Sequence, residues 1–277
     1  MKIPQLKKKP TIKKCHNIEW KDNYSWIHQE NILEVLKDKR KLLPEVKKYL
    51  LEENAYTQKI MSKTKKIQKK LFNEIKGRIK LADESLAYKD KKYFYWSKTT
   101  EKGNYSKKLR RKIGSKKTEI FWDGDKEAKG KKFFNTGDLS VSYNDELLAY
   151  SVDDKGSEYF SIFIRNISNN KIIDEEIKDT SGSITWSYDD KYIFYSKLDK
   201  FHRPRQIFSH KLGTPISSDR LIFEEKDEKF TCGISTSADD KFYFINTSEH
   251  TSSEVYFFEN SENPELKLFK KRKDKIE

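Results

Sequence analysis

Histidine and serine are the residue types that could carry hydrolytic chemistry in this chain of 277 residues. A serine nucleophile on a strand-to-helix turn needs a glycine two positions before it and another two positions after it, because the turn is strained. No two of the ten glycines lie four positions apart. We therefore predict no catalytic residue of this type. A serine–histidine pair drawn from distant segments stays open, since such sites are defined by geometry.

The five histidines and two cysteines are scattered along the chain, at His16, His28, His202, His210, His250, Cys15 and Cys232. A metal site needs three or four ligands, and only Cys15 and His16 are adjacent. The chain also has no CxxC, P-loop or GxGxxG motif. We predict no metal and no cofactor, and we expect the histidines to be surface or strand residues. Two thiols so far apart indicate a reducing cytosol.

Three related segments, 140–152, 183–197 and 233–247, read SVSYNDELLAYSV, SITWSYDDKYIFYSK and GISTSADDKFYFINT, and each contains a polar pair: Asn144-Asp145, Asp189-Asp190 or Asp239-Asp240. In each, a short strand is followed by a polar turn and then by an aromatic strand. An Asp or Asn in such a turn bonds local backbone N–H groups and so fixes a hairpin. We therefore assign these carboxylates a structural role and not a catalytic one. A weaker copy, SLAYKDKKYFYWSK, spans 85–98.

The spacing of these turns indicates the fold. Their second residues, Asp145, Asp190 and Asp240, lie 45 and 50 residues apart. Repeats of about 40–50 residues with several strands each are typical of β-propeller blades. Residues 81–277 have room for about four blades. The prediction is a mainly β protein with an α-helical N-terminal segment and an incomplete propeller of the seven-bladed type.

The N-terminal segment, residues 1–80, has a different period. From Pro44 to Gly77, apolar residues recur at steps of three, four and seven, as on one face of a helix. This segment holds 22 Lys and Arg against 9 Asp and Glu, whereas residues 81–277 hold 36 against 35. A basic arm suits nucleic acid or an anionic membrane. However, Lys dominates, and the interleaved Arg and aromatic residues that nucleic-acid readers use are missing.

Neither a membrane span nor a secretory signal is visible in the sequence. No apolar run approaches about 18 residues. The opening MKIPQLKKKPTIKK lacks the apolar stretch of a signal peptide. We therefore expect a soluble, cytoplasmic protein without membrane partners.

Several unrelated local patterns resemble one family in its own order along the chain. They are DNYSWI at 22–27, LLPEVKKYLLEENAYTQKIM at 42–61, GRIKLADESLAYKDKKYFYWSK at 77–98, HKLGTPISSDRLIFEEKDEKF at 210–230 and TSSEV at 251–255. Together they resemble the N-terminal part of the oligopeptidase B branch of the prolyl oligopeptidase family of serine peptidases. About ten extra residues, near 31–41, depart from that pattern.

The resemblance implies N-terminal helices that pack on an α/β-hydrolase domain and a propeller that restricts access to short peptides. It also implies cleavage after Lys or Arg, by a serine, aspartate and histidine that lie beyond the part matched here. No catalytic residue is therefore carried over, the substrate-binding residues stay unknown, and enzymatic activity of this chain stays uncertain.

Three functions follow from the sequence. The favoured one is an N-terminal fragment of such a peptidase that is inactive alone. This fragment would be a decayed gene product or, as the less favoured alternative, one half of an enzyme completed by a separately encoded hydrolase half. Its substrates would then be short basic peptides. The second is a free-standing propeller-like binding module. The third, least favoured, is a polyanion-binding protein acting through the basic arm.

Overall fold

The computed structural model describes residues 2–261 and 264–273. Met1 of the predicted N-terminal segment, and residues 262–263 and 274–277 of the predicted propeller, lie outside the described residues. The chain divides into two compact units between Leu81 and Ala82. In the described part, no helix is long and apolar enough to cross a bilayer.

The N-terminal unit begins with a hairpin and continues as helix. Strands β1 (Thr11–Cys15) and β2 (Ile18–Asp22) pair antiparallel around His16 and Asn17, which both have positive φ, as in tight two-residue hairpin turns. Helix α1 (Ile32–Lys37) falls within the segment that departs from the family pattern. The sequence did not predict the hairpin, because its two strands are only five residues long and almost fully exposed on both faces.

The predicted helical run is confirmed. Helix α2 (Pro44–Met61) is joined to α3 (Lys65–Gly77) by a single 3-10 turn. Pro44 stands in the first turn, where its missing N–H costs no hydrogen bond. Val46 is the one buried residue of α2. Farther along the apolar face, Ile60, Leu71 and Ile75 are exposed.

The C-terminal unit consists of four antiparallel four-stranded blades in chain order. Blade 1 is a separate sheet, and so is blade 4, whereas blades 2 and 3 form one seven-stranded sheet. The strands of blade 1 are β3 (Tyr88–Asp90), β4 (Tyr93–Lys98), β5 (Lys107–Lys112) and β6 (Thr118–Asp123). A short helix, α4 (Gly124–Glu127), follows. The strands of blade 4 are β14 (Thr231–Thr236), β15 (Phe242–Ser248), β16 (Ser253–Glu259) and β17 (Lys267–Lys270).

Blades 2 and 3 share one long strand. Blade 2 contains β7 (Asn135–Val141), β8 (Leu147–Asp153) and β9 (Phe160–Asn166), and blade 3 contains β11 (Tyr192–Leu198), β12 (Pro204–Lys211) and β13 (Arg220–Glu224). The shared strand is β10 (Ile177–Trp186). Its first half pairs with β9 and its second half with β11.

Thr180 pairs with both neighbouring strands, and the pairing with β11 is irregular between Thr180 and Ile184, where Gly182 has a φ of +93°. A Cβ on Gly182 would lie 2.9 Å from the Phe160 ring, so this crossover requires glycine. Asp179 of the same strand also has a positive φ, so the irregular stretch between the blades includes more than one residue.

Three apolar cores lie between successive blades. Tyr95, Trp122 and Tyr150 are part of the core between blades 1 and 2. The core between blades 2 and 3 contains Ile164, Ile184, Trp186 and Ile193, and that between blades 3 and 4 contains Phe194, Ile207, Tyr243 and Phe258. The mainly β fold with an incomplete propeller of about four blades is therefore confirmed.

Candidate functional site

The first strands of all four blades line a common cavity of about 490 Å³, which we call the inner groove. Val141, Thr185 and Ile234 contribute to it from β7, β10 and β14, and Tyr88 contributes from β3. A second cavity of about 560 Å³, the blade 1–2 pocket, shares Tyr88 and other wall residues with it. Cavities of this volume are of the size that holds small ligands or short peptide segments.

Tyr143 of the blade 2 turn and Asp240 of the blade 4 turn line the inner groove. In each of the three turns, the first residue of the polar pair bonds a serine of its own hairpin. In blade 2, the Ser142 hydroxyl donates to Asn144 Oδ1 at 2.7 Å and accepts from the Leu147 amide at 2.9 Å. Ser187 and Ser237 repeat both bonds in blades 3 and 4. These contacts are structural, as the turn chemistry predicts.

The second acidic residue of each turn, with a φ near +60°, reaches a different blade. Asp145 of blade 2 accepts from the Tyr95 hydroxyl of blade 1 at 3.0 Å. Asp190 of blade 3 accepts from the backbone amide of Tyr143 in blade 2 at 2.5 Å. Burial raises the pKa of Asp190. The second residue of each polar pair therefore links two blades, which the sequence pattern did not reveal.

Tyr143 connects blades 2 and 4 across the inner groove. Its hydroxyl donates to Asp240 Oδ1 at 2.9 Å, and burial together with this bond raises the pKa of Tyr143. The Lys91 ammonium lies 4.0 Å from the centre of the Tyr143 ring. Lys91 occupies the second turn position in blade 1, where the other blades carry Asp, and this explains why that copy of the repeat is weaker.

His210 is fully buried between two carboxylates. Its Nδ1 lies 2.7 Å from Asp219 Oδ1 and its Nε2 lies 3.1 Å from Asp174 Oδ2. Burial disfavours the charged ring, but the hydrogen bonds to Asp219 and Asp174 outweigh it and raise the pKa of His210. Because both ring nitrogens are engaged, this imidazole has no free nitrogen with which to activate a hydroxyl.

The other histidines do not form a nucleophile–base pair in the described structure. His202 Nε2 lies 3.2 Å from the backbone oxygen of Ser157, not from its hydroxyl. His16, His28 and His250 are exposed.

The two cysteines are in opposite environments. Cys15 is exposed and Cys232 is buried. Burial raises the pKa of the Cys232 thiol to about 12, so it stays protonated at neutral pH. Within residues 2–261 and 264–273, no three His, Cys, Asp or Glu side chains are grouped as metal ligands.

Comparison with known sequences gives one consistent result. The family model for the prolyl oligopeptidase N-terminal β-propeller domain matches residues 4–277. The chain is 30% identical over 270 residues to dipeptidyl aminopeptidase BI of Pseudoxanthomonas mexicana, covering 91% of this chain and 36% of that protein. It is 27% identical to Protease 2 of Moraxella lacunata, covering 100% and 40%. The chain thus spans about two fifths of the length of these relatives.

Solved structures show the same fold. Oligopeptidase B from Leishmania major superposes with a TM-score of 0.88 at 21% identity, covering 99% of this chain and 40% of that one. Oligopeptidase B from Trypanosoma brucei gives a TM-score of 0.85 at 23% identity, covering 98% and 40%.

Proposed function

Since this chain belongs to the prolyl oligopeptidase family, through its N-terminal β-propeller domain, we propose that it is the N-terminal part of an oligopeptidase B-like serine endopeptidase. The match along residues 4–277, with about two fifths of each relative covered, carries this proposal. The remaining length would supply an α/β-hydrolase part with the catalytic serine, aspartate and histidine. This chain alone would then cleave nothing, and the complete enzyme would cleave short peptides after Lys or Arg.

The apolar face of the N-terminal unit supports a hydrolase partner. Ile60, Ile67, Leu71 and Ile75 follow one side of the continuous helix and are all about half exposed or more. A helix with such a stripe gains most of its stability by packing it against another element. We therefore assign the stripe to the hydrolase part.

The inner groove supports a role in substrate access. Its walls combine aromatic and β-branched side chains with few charges, Asp90, Lys91 and Asp240. The hydrogen bonds of Asp190 and Tyr143 hold its border together across blades. A rigid border of this kind would admit extended short peptides and exclude folded proteins.

Complementation tests the proposal. The DNA downstream of the codon for Glu277 is sequenced, and any frame that encodes a hydrolase part with a GxSxG serine is expressed together with this chain. The proposal predicts cleavage of a short peptide after Arg only when both parts are present, and none when the elbow serine is replaced by alanine. The absence of such a frame would indicate a remnant without peptidase activity, and an assembled pair that does not cleave would contradict the proposal.

Two charge substitutions on α3 form a matched pair for this assay. Leu71→Glu places a carboxylate in the apolar stripe, whereas Lys69→Glu places one on the lysine-rich side of the same helix. Complementation is expected to fail with the first variant and to persist with the second. The same loss in both would show that the stripe does not bind the hydrolase part.

The second candidate is a free-standing binding module, and the three complete cores between blades favour it. They would allow the blades to fold without a hydrolase part. This function predicts a monomer that unfolds cooperatively and a peptide or protein ligand that binds in the inner groove. Substitution of Tyr143, which crosses that groove, would then weaken the binding of the ligand.

A further inference from the structure

Aromatic side chains form part of the lining of the blade 1–2 pocket. Tyr88, Tyr95, Trp96, Phe121 and Trp122 line it from blade 1, and residues of β7 line it from blade 2. Tyr95, Phe121 and Trp122 are buried in the core, whereas Tyr88 is exposed and Trp96 is partly exposed, so these two rings offer apolar contact area to a ligand. The pocket volume of about 560 Å³ lies in the range of small-molecule sites.

Only two charged side chains line this pocket, Lys108 and Asp138. The carboxylate of Asp138 is already bonded within the protein. Its Oδ1 accepts from the Leu139 amide at 2.8 Å, and its Oδ2 accepts from the Ile184 amide at 3.1 Å. The hydrogen bond between Asp138 and Ile184 therefore links blade 2 to blade 3.

Lys108 is partly buried, and no carboxylate in the described structure pairs with it. Its neighbour Lys107 points to the other face of β5, as residues alternate along a strand, and binds Asp123 at 2.9 Å. Asn104, Ser106 and Asn135 add hydrogen-bonding groups to the pocket lining. The pocket thus combines one lysine that has no ion-pair partner among the described residues with aromatic side chains.

We propose that the blade 1–2 pocket binds a small carboxylate attached to an apolar body, such as the C-terminal residue of a peptide. The Lys108 ammonium would pair with the carboxylate, and the rings of Tyr88 and Trp96 would contact the apolar part. Phosphate is disfavoured because its recognition commonly uses arginine forks or helix N-termini, and no arginine lines this pocket. The proposal concerns this chain alone and does not depend on a hydrolase part.

Binding of N-acetylphenylalanine to the full chain tests the site by calorimetry. The matched probe is N-acetylphenylalanine amide, which has the same apolar body without the charge. A hydrogen bond to a charged group contributes about 1.5–3 kcal/mol of binding free energy. The acid should therefore bind about tenfold to a hundredfold more tightly than the amide. Lys108→Met should remove this preference, and Lys108→Arg should retain most of it.

Lys112→Met is the control, because it removes the same charge from an exposed position of the same strand. Its affinity for the acid should stay within about twofold of that of the original chain. Near-ultraviolet circular dichroism on each variant checks that the aromatic core is intact. Equal binding of acid and amide, or full binding by a folded Lys108→Met variant, would overturn the proposal. Displacement of the acid by an equal concentration of inorganic phosphate would overturn the choice of carboxylate.

Discussion

Replacement of His210 by Gln should destabilise the blades in a pH-dependent way. The side chain of His210 is fully buried, and those of Asp174 and Asp219 are 4% and 3% exposed. Gln keeps a hydrogen-bonding amide but removes the positive charge, so two carboxylates would remain buried without a cation. Removal of one partner from a buried ion pair typically costs about 3–5 kcal/mol.

The sign of the pH dependence follows from the direction of the shift. The pKa of His210 is raised in the folded state, so the folded protein binds its proton more tightly than the unfolded chain does. The stabilisation that protonated His210 gives the folded state is complete below the pKa of the unfolded chain, about 6.5. It is lost as the pH rises through the higher pKa of the folded state. Asp174, Asp219 and Tyr195, which donates to Asp219 at 2.9 Å, are the polar groups around the ring.

Thermal unfolding, followed by near-ultraviolet circular dichroism from about pH 6 to about pH 9.5, measures the effect. Near pH 6 the midpoint should fall by about 6–20 °C, since a loss of about 3–5 kcal/mol is expected and 1 kcal/mol shifts the midpoint of a domain of this size by about 2–4 °C. The difference should shrink as the pH rises. His250→Gln, at an exposed position, is the control. A loss that is constant across this pH range, or below about 1 kcal/mol, would refute a charged His210.

Three further outcomes are expected. Gly182→Ala should lower the unfolding midpoint strongly because of its positive φ and its close approach to a ring, whereas Gly233→Ala, with open space around it, should change the midpoint little. Tyr143→Phe removes the hydroxyl that bonds across the inner groove and should cost about 1 kcal/mol in chemical denaturation; no change would show that the bond is not stabilising. A thiol reagent should modify Cys15 in the native protein and Cys232 only after unfolding, and equal rates by mass spectrometry would contradict the burial of Cys232.

The four blades could be predicted because their signal is local. Each first hairpin carries a serine and a polar pair at fixed spacing, and the side chains bond groups within five residues of the serine. A repeat of such hairpins predicts a repeat of blades. The signal for the helical run is equally local, since apolar residues recur at helical spacing from Pro44 to Gly77.

What the sequence could not predict depends on contacts between distant residues. Asp190 bonds Tyr143, which is 47 residues away, and Asp240 bonds the same tyrosine across 97 residues. Nothing in the turn pattern distinguishes an acid that closes its own hairpin from one that reaches another blade. Lys108 could not be singled out from the sequence for a similar reason. Only the folded sheet shows that its neighbour Lys107 pairs with Asp123, whereas Lys108 lies in the lining of the blade 1–2 pocket without a paired carboxylate.

The blades at the two ends of the array contribute to fewer apolar cores than the blades in its middle. This difference helps to choose between the two proposed functions. Blades 2 and 3 each contribute to two cores, whereas blade 4 contributes to one. Its other face carries Phe244, Phe257 and Phe269, whose ring centres lie 5.9–6.4 Å apart, and Phe269 is 65% exposed. Exposed aromatic clusters mark interaction surfaces. A free-standing module leaves this cluster and the helical stripe unexplained, whereas the proposed hydrolase part and further blades would cover both.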